Sequence, residues 1–156
     1  MTPPKSSQVN HEDLPPPRFL IVDQRAPVPI RQLLDEAEGC ANMQFVNGGT
    51  ACARRAIEII LETESAVTED YSASLLKLSE KHPAVAPALF QILEMLGDNS
   101  DDETLSADSL KALIVTIKAV VFEIYVLGAE RIERLMYVHQ MVESLKRDNP
   151  SSRGRH

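Results

Sequence analysis

The stretch "ALIVTIKAVVFEIYVLGA", residues 112–129, is the most apolar part of the chain and decides the fold. Around it, apolar residues recur at intervals of three and four, which is the period of one buried helix face. The residues of this face are Leu110, Leu113, Ile114, Ile117, Val120, Val121, Ile124 and Leu127. Val115, Phe122 and Val126 make the opposite side apolar as well. Because a helix that is apolar nearly all round is surrounded by protein, we predict the central helix of a bundle or a helix shared between subunits.

A membrane span is the competing interpretation of the same stretch. Lys118 and Glu123 lie inside it, and each charge costs roughly 2.5 to 3.5 kcal/mol near the centre of a bilayer. The ends of the stretch carry neither an aromatic belt nor a basic cluster. The sequence therefore favours a protein core over a membrane span.

The composition is that of an ordinary globular domain. Of the 156 residues, 44% are hydrophobic and 25% are charged, and this length suits one domain with tails. Aromatic residues make up 4% and tryptophan is absent, so we expect an aliphatic core. The net charge of -7 repels a phosphate backbone and disfavours general nucleic-acid binding.

The two cysteines, Cys40 and Cys52, do not make a disulfide framework. The N-terminus shows no basic region followed by an apolar one, so no signal peptide is predicted. We therefore expect free thiols and a cytoplasmic protein, with a Cys40–Cys52 bridge as the alternative.

Proline and polar residues mark the two ends of the predicted domain. Residues 1–17, "MTPPKSSQVNHEDLPPP", contain almost nothing to bury and are predicted to form a disordered arm. Residues 18–147 form the predicted single helical domain. Residues 148–156 are predicted to be a disordered basic tail, because Pro150 stops the preceding helix and two arginines follow it.

About five helices are predicted between these ends from helix punctuation and hydrophobic periodicity. Their ranges are residues 30–39, 50–64, 66–82, 83–97 and 107–147, and the fourth helix is expected to restart around Pro87. The expected N-caps are Thr50, Thr68 and Ser106, since hydroxyl side chains accept the free N–H groups of a first turn. Gly39 is the expected end of the first helix, and "NGG" at residues 47–49 is the expected turn into the second.

Two short apolar runs are compatible with the strands of a small sheet. They are "FLIV", residues 19–22, and "MQFV", residues 43–46, and runs this short fit either a strand or a helix. The predicted fold is therefore a mainly α bundle of about five helices with a long C-terminal helix. A minor two-stranded β element near residues 18–46 is left open.

Residues 18–62 also resemble the opening of response-regulator receiver domains. "RFLIVDQ", "IRQLL" and "NGGTACARRAIEI" follow one another in the strand–helix–strand–helix order of that family. The resemblance implies substantial sheet content and magnesium binding, with Asp23 at one position of the family's acidic pair. Gln24 stands at the other position, and no later strand with a phosphoaccepting aspartate is found, which departs from the family pattern.

Residues 129–147, "AERIERLMYVHQMVESLKR", continue the last helix with an amphipathic pattern. The predicted partner-binding residues on its apolar face are Ile132, Leu135, Met136, His139, Val142 and Leu145. This part would project about 30 Å if it left the bundle, at 1.5 Å per residue, and it would then need a partner to cover that face. Two points stay open: whether it folds back on its own domain, and whether Gly128 breaks the helix.

No set of residues in the sequence points to catalysis, a cofactor or a metal. The four histidines are not spaced for metal binding, and no Cys-x-x-Cys pair, Walker loop or dinucleotide-binding glycine pattern is present. An enzyme whose site assembles only in space stays an alternative. It predicts a pocket that gathers His82 or His139 with carboxylates.

The favoured function is therefore non-catalytic. We predict a helical protein–protein interaction or assembly protein, of an adaptor or regulatory kind, that associates with itself through the C-terminal helix. The alternatives are a receiver-like signalling domain and a nucleic-acid accessory protein. The accessory protein would use a local basic patch of Arg54, Arg55 and the basic tail, and salt would weaken its binding.

Overall fold

The computed structural model describes residues 15–98 and 104–149. Most of the predicted N-terminal arm, residues 99–103 and the tail from residue 150 lie outside the described residues. Within the described ranges the chain forms five α-helices, a 3-10 turn at Arg18–Leu20 and no strand. The helices are α1 (Val28–Asn42), α2 (Val46–Thr63), α3 (Tyr71–Lys81), α4 (Pro87–Gly97) and α5 (Ala107–Asp148). The prediction of a mainly α bundle with a long last helix is confirmed.

The inner face of the first half of α5 lies at the centre of the bundle, as its sequence predicts, but Val115 on the opposite side is 42% exposed, so the helix is not surrounded all round. Leu110, Leu113, Ile117 and Val120 are completely buried on its inner face. Helices α1, α2 and α4 pack around this face, and α3 packs against α2 and α4. Because full burial of a Leu, Ile or Val side chain contributes about 1.5 to 3 kcal/mol, this face is a main source of the stability of the fold.

Several predicted helix ends are confirmed. Helix α5 begins after Ser106, whose hydroxyl oxygen accepts the backbone N–H of Ser109 at 3.1 Å. Helix α4 begins at Pro87, and α3 ends at Lys81, with His82, the residue before a proline, as its C-cap.

The start of α3 differs from the prediction. Asp70, and not Thr68, is the N-cap, and its carboxylate accepts the backbone N–H of Ala73 at 3.3 Å. A carboxylate at this position also interacts favourably with the positive end of the helix dipole. Thr68 lies in the preceding turn, where its backbone N–H donates to the Ser74 hydroxyl at 2.9 Å.

The two-stranded element near residues 18–46, which the sequence left open, is not formed. Residues 19 and 20 belong to the 3-10 turn, Ile21 is exposed, and residues 43–45 connect α1 to α2. The physical reason is that the first run lies along α5, where the Leu20 carbonyl accepts a hydrogen bond from the ammonium of Lys118 at 3.0 Å. The sheet implied by the receiver-domain resemblance is likewise missing from residues 15–98 and 104–149.

The predicted end of α1 at Gly39 and the predicted start of α2 at Thr50 are also wrong. Helix α1 passes Gly39 and ends at Asn42, and α2 begins at Val46, so Thr50 lies inside it and does not cap it. The turn between the helices is at residues 43–45, where Gln44 has a positive φ of 62°. Gly49 is needed for close packing, because a Cβ there would lie 2.7 Å from Leu110 Cδ2 and 3.3 Å from the Ala37 carbonyl oxygen.

Candidate functional site

Helix α5 continues far beyond the bundle. Every residue from Arg131 to Asn149 is exposed. We call Arg131–Asp148 the arm; its 18 residues extend about 27 Å at 1.5 Å per residue. The alternative in which this part folds back on its own domain is therefore wrong.

The helix does not break at Gly128. The six residues before it, Phe122–Leu127, form a π-helical stretch within α5. The Gly128 N–H donates to the carbonyl of Glu123, five residues back, and Gly128 itself has a helical φ of -59°. A π-helical turn holds more residues than an α-helical one. The faces of the arm are therefore rotated relative to the core face of the first half of α5.

The segment before α1, residues 15–26, holds the base of the arm. The guanidinium of Arg18 lies 5.3 Å from the centre of the Phe122 ring, in a cation–π contact. Arg18 also donates to the Glu130 carboxylate at 3.0 Å, and Arg25 donates to the same oxygen at 3.5 Å. The hydrogen bond from Arg18, with the positive charges of both arginines, lowers the pKa of Glu130. These contacts hold the base of the arm, where α5 leaves the bundle.

Lys118 has a structural role in the middle of the most apolar stretch. Its side chain is almost completely buried, and its ammonium donates to the Leu20 carbonyl at 3.0 Å and to Glu38 at 2.5 Å. One buried charge thus ties residues 15–26 and α1 to the central helix. The acceptors of both hydrogen bonds lie beside the buried part of α5. The fold therefore explains why a lysine stands in the middle of an apolar helix.

By length and composition, α5 is also apolar enough to cross a membrane. The most apolar window of 18 residues has a mean hydropathy of 2.0, and half of that window is buried inside the bundle. The core helix of a soluble protein meets the same criterion. This property alone therefore does not distinguish a membrane span from a core helix.

The predicted partner-binding residues all lie on the arm and are all exposed. The exposed fractions of Ile132, Leu135, Met136, Val142 and Leu145 range from 43% to 67%. Sequence reasoning missed a second set of exposed apolar residues on the arm. They are Tyr137 and Val138. The continuous apolar run "LMYV" at residues 135–138 was the signal for them, because it covers more than one helix face.

A histidine–carboxylate pair forms where the ends of α2 and α3 meet. His82 Nε2 lies 3.1 Å from Glu64 Oε2. The ammonium of Lys81 also donates to the Glu64 carbonyl, and burial beside Glu64 raises the pKa of Tyr125. His82 and Glu64 are the C-caps of their helices. We therefore interpret the pair as a joint between helix ends.

The other candidates for chemistry are dispersed. His139 lies on the arm in a shallow surface groove with Gln140, Glu143, Ser144 and Arg147. Among residues 15–98 and 104–149, no group of three or more His, Cys, Asp or Glu side chains is arranged to hold a metal ion.

One of the two arginines of the suggested basic patch on α2 is neutralised by its own helix. Arg55 donates to Glu58 at 2.8 Å and to Glu62 at 3.4 Å, and Arg54 is half-buried. Phosphate binding gains its strength from cations that are free to replace counterions. An arginine that is paired with carboxylates of its own helix adds little to the affinity of a surface for nucleic acid.

Comparison with known proteins gives no further information about the site. No protein-family model matches the sequence. Comparisons with curated proteins and with solved structures find no match either.

Proposed function

We propose that this protein is a non-catalytic assembly protein that associates with a second copy of itself through the arm. The observation that carries the proposal is that the last 18 residues of α5 are all exposed, with eight large apolar side chains among them. An isolated helix of this length is only marginally stable in water. An exposed apolar surface of this extent is typical of a protein interface.

A second copy is the occupant that the sequence favours. The stretches outside the described residues carry few large apolar side chains, namely Met1, Val9 and Leu14. They are too few to cover the eight on the arm. A second chain brings an equal apolar surface, and most assemblies of identical chains are closed pairs related by a twofold axis.

The cytoplasmic location belongs to the same proposal. Cys40 and Cys52 are both free thiols. Free thiols suit a reducing compartment, in which a soluble assembly protein would work. Adaptor and regulatory roles are finer versions of the same proposal, and they depend on what the assembled form binds.

The proposal is tested by light scattering on the full chain over a dilution series. The variant Leu135→Glu/Val142→Glu adds two charges to the apolar face. The control Gln140→Glu/Ser144→Glu adds the same two charges to the opposite face of the same helix. We expect a concentration-dependent dimer for the unsubstituted chain and the control, and a monomer for the variant.

Circular dichroism shows whether the bundle of the variant stays folded, since neither position contacts it. An unsubstituted chain that is monomeric at every concentration would overturn the proposal. A variant and a control with the same mass would also overturn it, because the apolar face would then not be the interface.

A further inference from the structure

We infer that the two arms pair antiparallel, so that the tip of each arm lies where the other arm leaves its bundle. This inference rests on the proposed self-association and adds the orientation of the two chains. The partner surface is the same apolar face on a second copy, reversed in direction.

The charge of the bundle favours this orientation. Residues 18–130 contain 18 Asp and Glu against 9 Lys and Arg, whereas the arm contains 3 against 4. Parallel arms would bring two bundles of the same negative charge side by side. Antiparallel arms keep the bundles at opposite ends, about 27 Å apart along the helix axis. This separation exceeds the screening length of about 8 Å at physiological ionic strength, so the repulsion is largely removed.

The length of the arm fits full overlap of the two chains. Glu130 is the last half-buried residue of α5, and the helix ends at Asp148. With antiparallel arms, the tip of each helix stops beside the bundle of the other copy, so both arms are covered along their whole length. The last turn contains Lys146 and Arg147. These cations then lie near the acidic bundle of the second copy, which favours the arrangement.

The apolar face has the symmetry that this pairing needs. Leu135 and Val142 lie at equal distances on either side of a point between Val138 and His139, which is one residue from the middle of the arm. We place the twofold axis of the pair at this point, so the overlap of the two arms is close to full. An antiparallel copy therefore brings Leu135 of one chain near Val142 of the other, twice in each dimer.

The two ends of the arm also meet in this arrangement. Arg131 comes near Lys146 of the second copy, and each has a carboxylate of its own chain close by. Arg131 lies 3.8 Å from Glu123, and Lys146 lies 3.7 Å from Glu143. Their own ion pairs reduce the repulsion between these two cations.

The orientation is tested by cross-linking single cysteines in the full chain. Cys40→Ser and Cys52→Ser remove the native thiols, and either Arg131→Cys or Lys146→Cys adds one thiol at one end of the arm. Neither added cysteine replaces an apolar residue of the interface. The two kinds of chain carry tags of different mass, and they are oxidised separately and as an equilibrated mixture.

Antiparallel arms predict a cross-linked pair with one chain of each kind in the mixture, and almost none in either chain alone. The reason is that in antiparallel arms the two copies of residue 131 lie about 22 Å apart along the axis, and so do the two copies of residue 146. This distance is the rise of the 15 residues that separate the two positions, at 1.5 Å per residue. Cross-linking of each chain with itself, with none between the two kinds, would show parallel arms and overturn the inference while leaving self-association intact.

A dimeric mass without any cross-link would also overturn the orientation. A monomeric mass of the unsubstituted chain by light scattering would overturn both the orientation and the proposed function. Mass and cross-linking pattern thus separate the failure of one from the failure of the other.

Discussion

Two neighbouring glycines in the first turn of α2 occupy quite different environments. At Gly49, a Cβ would lie 2.7 Å from Leu110 Cδ2 and 3.3 Å from the Ala37 carbonyl oxygen. At Gly48, the nearest neighbour of such a Cβ would be the Cys40 sulfur at 3.5 Å, which is ordinary contact. Only Gly49 therefore allows α1, α2 and α5 to approach as closely as they do.

We expect Gly49→Ala to destabilise the protein by about 1 to 3 kcal/mol, because it overpacks the junction of three helices. The matched control Gly48→Ala lies in the same helical turn and is exposed. It should be neutral or stabilise by up to about 1 kcal/mol, since alanine forms helices better than glycine. The measurement is the free energy of unfolding in denaturant. Equal effects of the two substitutions would contradict this account of Gly49.

The same positions show why residue-level prediction was incomplete. "NGG" indicates a turn in an isolated peptide, but contacts with α1 and α5 decide its conformation here. Lys118 is a similar case, since the sequence shows a charge in an apolar helix but not the Leu20 carbonyl that accepts its hydrogen bond. Both residues depend on partners far away in the sequence.

At the scale of the elements, hydrophobic periodicity predicted the helices well because their apolar faces are buried in one core. The central helix and its Ser106 cap follow from local pattern and local hydrogen bonding. The secondary structure of the short runs at residues 19–22 and 43–46 could not be predicted in this way, because four residues are too few to define a period. The π-helical stretch at Phe122–Leu127 has no signature in hydrophobic spacing either.

The contact between residues 15–26 and the base of the arm depends on pH. The hydrogen bond from Arg18 lowers the pKa of Glu130 below its ordinary value. A carboxyl whose pKa is lowered in the folded state stabilises the contact above its unfolded pKa of about 4.3. That stabilisation is lost as the pH falls through the lowered folded value, so acid should release Arg18 and Arg25 from Glu130.

We expect Arg18→Ala to raise the pKa of Glu130 towards the ordinary value, as followed by a carboxyl NMR titration. The control Arg55→Ala removes the same charge from α2, where Arg55 pairs with Glu58 and Glu62, and should leave this pKa unchanged. If Arg18→Ala has no effect, the ion pair does not hold the base of the arm.

At the scale of the whole molecule, the protein consists of a closed bundle and an open arm that share one helix. The bundle buries the inner face of the first half of α5, whereas no residue of the arm is buried. The sequence allowed the six predicted partner-binding residues to be placed on one helix. It did not show whether they face solvent, because an amphipathic pattern is the same on a docked helix and on a free one.

The central claim is that this arm is ordered by pairing with a second copy. Hydrogen exchange, followed by mass spectrometry at a high and a low protein concentration, tests it most directly. We predict that the amides of residues 131–148 are protected at high concentration and lose protection on dilution, while those of α1 and α2 keep theirs. Protection of the arm that does not change with concentration would contradict the claim.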